Sequence, residues 1–179
     1  MRSPLSVHVL DKIDAILDIV GPEIARIIFT GARGVFASGA DLREISKLDI
    51  DNVRAFAERG QRLMDRISEL SIETFAAIDG PCYGGALDLA LACDVRICSP
   101  RSKFCHPGAG LGIITGWGGT QRLTRLVGEA VALEMFFTAS PINAERAKNI
   151  GLVSTVVDDP FAYLTSADFT STSALENFE

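Results

Sequence analysis

Three places in the sequence hold residue types that could do chemistry together. The first is Asp88, the one acid in the apolar run 85–93, GALDLALAC. If the apolar neighbours Leu87, Leu89 and Leu91 raise its pKa, this carboxyl could act as acid or base; the plainer alternative is a buried acid bonded to backbone. The second is a pair of glycine turns, Gly39-Ala40 and Gly84-Gly85, each opening a helical segment. A helix start leaves backbone N–H groups without acceptors, and the helix dipole adds partial positive charge there. Such a place binds phosphate in some proteins and stabilises an oxyanion in others. If both turns face one pocket, two N–H donors converge on a single carbonyl oxygen and could stabilise an enolate. Each could equally be an ordinary strand-to-helix turn, for which glycine is the default residue. The third is His106, two residues before Gly108 and so on the same side of a strand. Its ordinary pKa of about 6.5 suits proton transfer near neutrality. The plainer alternative is a strand-end histidine with a local hydrogen bond.

The elements that must position these residues follow from the apolar spacing. Residues 5–20 carry Leu5, Val9, Ile13, Ile16, Leu17 and Val20 at helical intervals, with Ser3 as a cap and Pro4 at the first position. Residues 24–30, IARIIFT, form an apolar run of strand length that reads as covered on both faces. Residues 51–70 predict a long helix that Gly60 interrupts, at a cost of roughly 1 kcal/mol relative to Ala. Strands are expected over 74–78, 95–98, around Phe104 and over 152–157. Helices are expected over 120–126, 129–137 and 143–150. The stretch 108–119, GAGLGIITGWGG, holds six glycines in twelve residues and predicts a loop with special backbone angles. Strands alternating with helices make this an α/β chain. The Ser/Thr-rich residues 160–179 show no clear period and are expected to be a loosely ordered tail to a core spanning 1–159.

Composition narrows the function classes. With 47% apolar and 22% charged residues in 179, the chain is long enough for one domain with a sizeable core. A net charge of −6 without a basic stripe argues against nucleic acid as a partner. No apolar run approaches the roughly 20 residues that span a bilayer, so no membrane partner is expected. Cys82, Cys93, Cys98 and Cys105 form no CxxC pair, and with only two histidines a metal site is not expected. Four thiols in apolar contexts read as buried and free, in keeping with a reducing, cytoplasmic location.

Four blocks carry a resemblance. IARIIFTGARGVFASGADLREI, AAIDGPCYGGALDLALACDVRICSPRSKF, LGIITGWGGTQRLTRLVGEAVALEMFFTA and INAERAKNIGLVSTVV stand in the order and spacing of the enoyl-CoA hydratase/isomerase (crotonase) superfamily. The chain resembles that superfamily from about Pro4 to Val157. The resemblance implies a crotonase-like (ClpP/crotonase) spiral of repeated ββα units, assembled as trimers or hexamers. It also implies an acyl-CoA thioester as substrate, with no separate cofactor because coenzyme A is part of the substrate. The N–H groups of Ala40 and Gly85 would then be the oxyanion hole. The acyl-CoA would lie along Ser38, Gly39, Asp41, Leu42 and Arg43, with Gly84, Gly108, Gly116 and Trp117 around the acyl group. Arg43 reads either as a nucleotide contact or as a solvated helix charge, and Asp41 as a cap of its helix. Trp117 could shape the acyl site or fill the core, and Gln121 and Arg122 are expected to support the fold.

Two departures bear on mechanism. Hydratases of this superfamily place two glutamates around the added water. By resemblance, Asp88 stands at the first position and Gly108 at the second, so one carboxylate is shortened and the other is lost. A single acid suits a proton shuttle beside a stabilised enolate, with His106 available as a substitute acid or base. The resemblance also leads one to expect a pair of strands before residue 5 and several helices after residue 157, so the chain is expected to be truncated at both ends. The rival expectation is a non-catalytic crotonase-like subunit that binds acyl-CoA or only oligomerises.

Overall fold

The computed structural model describes residues 3–167 and Phe169. The chain winds through three similar strand–strand–helix units. In the second unit, β2 (Glu73–Ile78) and β3 (Pro81–Tyr83) lead into α4 (Gly85–Ala92). In the third, β4 (Val95–Cys98) and β5 (Lys103–Cys105) lead through a 3-10 turn (Pro107–Leu111) to α5 (Gly119–Val127). The first unit has β1 (Arg26–Thr30), a single bridging residue, Ala37, which pairs in parallel with Cys82, and then α2 (Leu42–Ile45) and α3 (Val53–Ser68).

Equivalent strands lie side by side. β1, β2, β4 and β7 (Thr155–Val156) form a parallel sheet in the order β1-β2-β4-β7. β3, β5 and β6 (Ile142–Asn143) form a smaller sheet in which β5 runs parallel to β3 and antiparallel to β6. The result is a spiral of ββα units. It places the β3–α4 turn beside the segment that follows Ala37, so the two glycine turns meet.

Sequence pattern explains most of this. All of β2 except Glu73 is buried, as expected of a parallel strand covered on both faces. β1 departs from the same expectation: it is the sheet's edge strand, and Arg26–Phe29 stay half-buried. α4 sits at the centre with all eight residues buried, Asp88 among them.

Several boundaries move. α1 (Val7–Asp18) starts later than expected. Leu5 is held extended by its bridge to Ala40, its N–H donating to the Gly39 carbonyl at 2.8 Å. The cap is therefore Ser6, which accepts from the Val9 N–H, and not Ser3. The last strand shortens because Leu152 and Val153 turn into the core, where the Leu152 carbonyl accepts from Arg96 Nε at 2.9 Å. The loop after β5 contains the 3-10 turn, so the strand ends at Cys105 and His106 stands immediately before that turn without capping it. The two-residue alternation invoked for His106 and Gly108 therefore does not apply.

After α6 (Glu129–Thr138) and α7 (Ala144–Asn149) comes α8 (Pro160–Thr165), inside the stretch expected to be a loose tail. Asp159 caps it by accepting from the Ala162 N–H at 2.9 Å, and Pro160 occupies its first turn. Leu164 and Phe169 are buried with Phe75, Ala77 and Ile97. The Arg26 guanidinium donates to the Leu164 carbonyl at 3.1 Å and covers the Phe169 ring. Residues 168 and 170–179 of the expected tail lie outside the described residues. All four cysteines are buried and free.

Candidate active site

Two backbone turns build one wall of a cavity of about 240 Å³. Gly84 ends β3 with φ 54° and ψ −124°, a conformation that disfavours a side chain, and its own N–H donates to the Cys105 carbonyl at 2.8 Å. No side chain caps α4, so its first N–H groups are left to the cavity. Gly39, with φ 87°, brings the other turn into contact. A Cβ at Gly39 would lie 2.6 Å from the Tyr83 carbonyl oxygen and 3.2 Å from the Gly85 nitrogen. Neither the Ala40 nor the Gly85 N–H donates a hydrogen bond among the described residues. Two backbone donors thus stand close together at the edge of an apolar space, which suits a single anionic oxygen.

Asp88 lies one helical turn beyond Gly85 and is fully buried. Its Oδ2 accepts from the Thr115 hydroxyl, while Oδ1 has no hydrogen-bond partner and lies 3.7 Å from His106 Nε2. Burial pushes the carboxyl up to about 7, against the opposing influence of the Thr115 hydroxyl, the Trp117 backbone N–H and the Arg122 guanidinium. His106 is 3% exposed, stacks on Phe136 with ring centroids 5.0 Å apart, and has no partner on either nitrogen. Burial pushes the imidazole down to about 4. The suitability argued from its ordinary pKa therefore does not hold, and His106 is neutral at pH 7. The pair is a half-ionised acid facing a neutral imidazole across a gap too long for a direct hydrogen bond.

Gly108 lines the same cavity, and its backbone leaves no space for a side chain. A Cβ there would lie 2.5 Å from the Ile113 carbonyl oxygen, and the Ile113 N–H in turn donates to the Gly108 carbonyl at 3.0 Å. The glycine loop is folded tightly against Gly108.

Trp117 answers both readings offered for it: it is 3% exposed and also lines the cavity. Its indole is wedged between Gly60 of α3 and Gly85 of α4, at positions where a Cβ on either glycine would collide with the ring. Gly60, read from sequence as a weak point of its helix, is the socket for this indole. Phe56 packs on the same ring at a centroid distance of 5.6 Å.

Ser38, Gly39, Ala40, Leu42, Gly84, Gly85, Asp88, His106, Gly108, Gly116 and Trp117 all line the cavity, whereas Asp41 and Arg43 do not. Asp41 caps α2 by accepting from the Arg43 N–H at 2.9 Å. The Arg43 guanidinium folds back onto Asp41 and, with that backbone bond, holds the Asp41 carboxyl down at about 2. Arg122 donates to Asp65 at 2.6 Å, joining α5 to α3 as a fold-supporting residue. Sequence reasoning missed Thr115, Phe136 and the apolar wall supplied by Ile45, Leu48 and Val53. The one available signal was that Thr115 is the sole hydroxyl in the glycine loop. Among the described residues no cluster of three or more His, Cys, Asp or Glu could hold a metal ion. No helix among them is long and apolar enough to cross a membrane.

Comparison with known proteins decides the family. The family model described as enoyl-CoA hydratase/isomerase matches residues 9–168. The chain belongs to the enoyl-CoA hydratase/isomerase family. A short-chain-enoyl-CoA hydratase of Clostridium acetobutylicum is 41% identical over 137 residues, covering 76% of this chain and 52% of that protein. A probable enoyl-CoA hydratase of Bacillus subtilis is 40% identical over 153 residues, covering 84% and 59%. The crystal structure of an enoyl-CoA hydratase from Bacillus anthracis superimposes with a TM-score of 0.81 at 35% identity, covering 86% of this chain and 61% of that one. The spiral of ββα units is therefore the crotonase fold. The chain spans about half the length of the curated relatives it matches.

Proposed function

We propose that the protein binds an enoyl-CoA thioester and moves a proton beside a thioester enolate, an isomerase-type reaction. The Ala40 and Gly85 N–H groups receive the thioester oxygen, and the negative charge that develops on it is stabilised by two fixed dipoles and the α4 terminus. The Asp88 carboxylate removes a proton from C2 of a 3-enoyl group. The electrons move into a dienolate whose oxygen rests on those two N–H groups. The protonated Asp88 then returns the proton to C4, giving the 2-enoyl thioester and restoring the carboxylate. A carboxyl at about 7 exchanges protons in both directions near neutrality without a strong bias.

One observation carries the choice of reaction. The second carboxylate of a water-adding pair is absent at Gly108, and the backbone there has no room for one. A second reading, hydration, draws support from the names of the relatives, which are hydratases. In that reading His106 takes the place of the lost glutamate and holds the water between its Nε2 and Asp88 Oδ1. The CoA portion lies along 38–43, with Arg43 exposed at the rim. Exposed Leu133 and Phe137 on α6 fit a face covered in a trimer or hexamer.

The deciding experiment assays crotonyl-CoA hydration and 3-enoyl-CoA isomerisation in parallel, with Asp88→Ala and His106→Ala beside the parent protein. Isomerisation abolished by Asp88→Ala is the expected result. Turnover that survives Asp88→Ala removes the catalytic assignment. Acyl-CoA binding without turnover of either substrate replaces the enzyme by a binding subunit. Hydration lost in His106→Ala selects the second reading.

A further inference from the structure

The glycine loop contributes more than a wall. We propose that Thr115 is a positioning residue that reserves one oxygen of Asp88 for anchoring and leaves the other to carry the proton. This inference rests on reading Asp88 as the proton carrier.

The geometry is specific. A carboxylate only accepts hydrogen bonds, so the Thr115 hydroxyl directs its proton at Asp88 Oδ2. An oxygen already receiving a donor is the poorer site for a further proton, so protonation falls on Oδ1. Oδ1 has no partner of its own and faces the His106 side of the cavity. Gly119 closes the carboxylate from behind, since a Cβ there would collide with Oδ1 and lie 2.9 Å from Thr115 Cγ2. The loop that carries Thr115 is fixed at its base, where Gln61 of α3 donates to the Gly116 carbonyl at 2.7 Å. Without the hydroxyl, only the lesser influence of the Trp117 backbone N–H is left to distinguish the two oxygens of Asp88, and the proton is less firmly confined to the productive position.

The groups that face Asp88 are His106 across the cavity, Arg122 on α5 and the Cys82 thiol on β3. His106 is neutral near pH 7, and burial raises the Cys82 thiol well above its usual range, leaving it uncharged. Among the described residues Arg122 is the charge that opposes the effect of burial on Asp88, and the Thr115 hydrogen bond opposes it more strongly.

Thr115→Val keeps the shape and removes the donor, whereas Thr115→Ser keeps the donor. In Thr115→Val the acidic limb of the kcat/KM profile for a 3-enoyl-CoA moves about one pH unit upward, and kcat falls about tenfold with KM within about twofold. Thr115→Ser restores both. Carbon-13 carboxyl titration of Asp88, assigned by difference with Asp88→Asn, reads the same shift without substrate. A Thr115→Val protein whose titration and profile match the parent overturns the proposal, as does a Thr115→Ser protein that behaves like Thr115→Val. If the parent protein turns over no enoyl-CoA, the functional reading fails, and the carboxyl titration alone still decides whether Thr115 holds Asp88.

Discussion

Replacing Asp88 by Asn should stabilise the protein while removing its activity, and the gain should depend on pH in a defined way. Folding raises the Asp88 pKa from 3.8 to about 7. Between those values the folded state holds a proton that the unfolded state releases, so the contribution of this group to stability is fully present below about pH 4 and is lost as pH rises to about 7. A shift of about three units corresponds to about 4 kcal/mol of penalty at pH 8. His106 works in the opposite sense. Its pKa falls from 6.5 to about 4, so the unfolded state binds the extra proton there, and stability rises with pH across that interval. In the parent protein the two slopes oppose each other between about pH 4 and 6.5. In Asp88→Asn only the His106 slope remains. The amide oxygen of Asn can still accept from Thr115, and its NH2 can face the neutral imidazole. Urea unfolding from pH 4 to 8 should show the stability difference widening in favour of Asp88→Asn up to about 4 kcal/mol, an upper figure that any lost packing reduces. Stability curves that run parallel across this range would refute the assignment of Asp88 as a buried acid held for function at the expense of the fold.

Gly108→Glu should not install a second catalytic acid. Its Cβ would displace the Ile113 carbonyl, and the variant should lose about 1–3 kcal/mol in urea unfolding without gaining crotonyl-CoA hydration; equal stability with new hydration would sink the claim that the loop excludes a side chain there. Gly60→Ala adds about 1 kcal/mol of helix propensity but puts a methyl group into the Trp117 ring, so a net loss of stability is expected. Because Trp117 is the sole tryptophan, its fluorescence reads the displacement directly, and an unchanged emission with raised stability would contradict the socket.

What could be read from the sequence was local. The apolar helix around Asp88 and the two glycine turns are properties of short windows, and each stands in the structure where the spacing put it, whereas the acid expected at Gly108 is a matter of family resemblance alone. The misreadings came from contacts that no window contains. Leu5 leaves its expected helix because it bridges Ala40, and the first residues of the expected loose tail form α8, with Leu164 and Phe169 buried against Phe75 on β2. His106 loses its useful ordinary pKa because Phe136, thirty residues on in the chain, covers it.

The glycine loop shows the same division at the site itself. Composition predicts unusual backbone in 108–119 but not what the backbone is for. In the structure some of its glycines stand where other groups need their space, while Gly110 and Gly112 face open space. Gly108 lies under Ile113, Gly119 behind the Asp88 carboxyl, and Gly60 and Gly85 from elsewhere receive the indole that the loop carries. With bulk removed at those points, the loop comes close enough for Thr115 to reach an acid twenty-seven residues earlier in the chain. The same close approach that leaves no room for a carboxylate at Gly108 supplies the hydroxyl that holds the one at Asp88. The tight packing at Gly108 and the anchoring of Asp88 by Thr115 are therefore two consequences of one loop conformation, and the proposed single-acid proton shuttle would rest on that conformation.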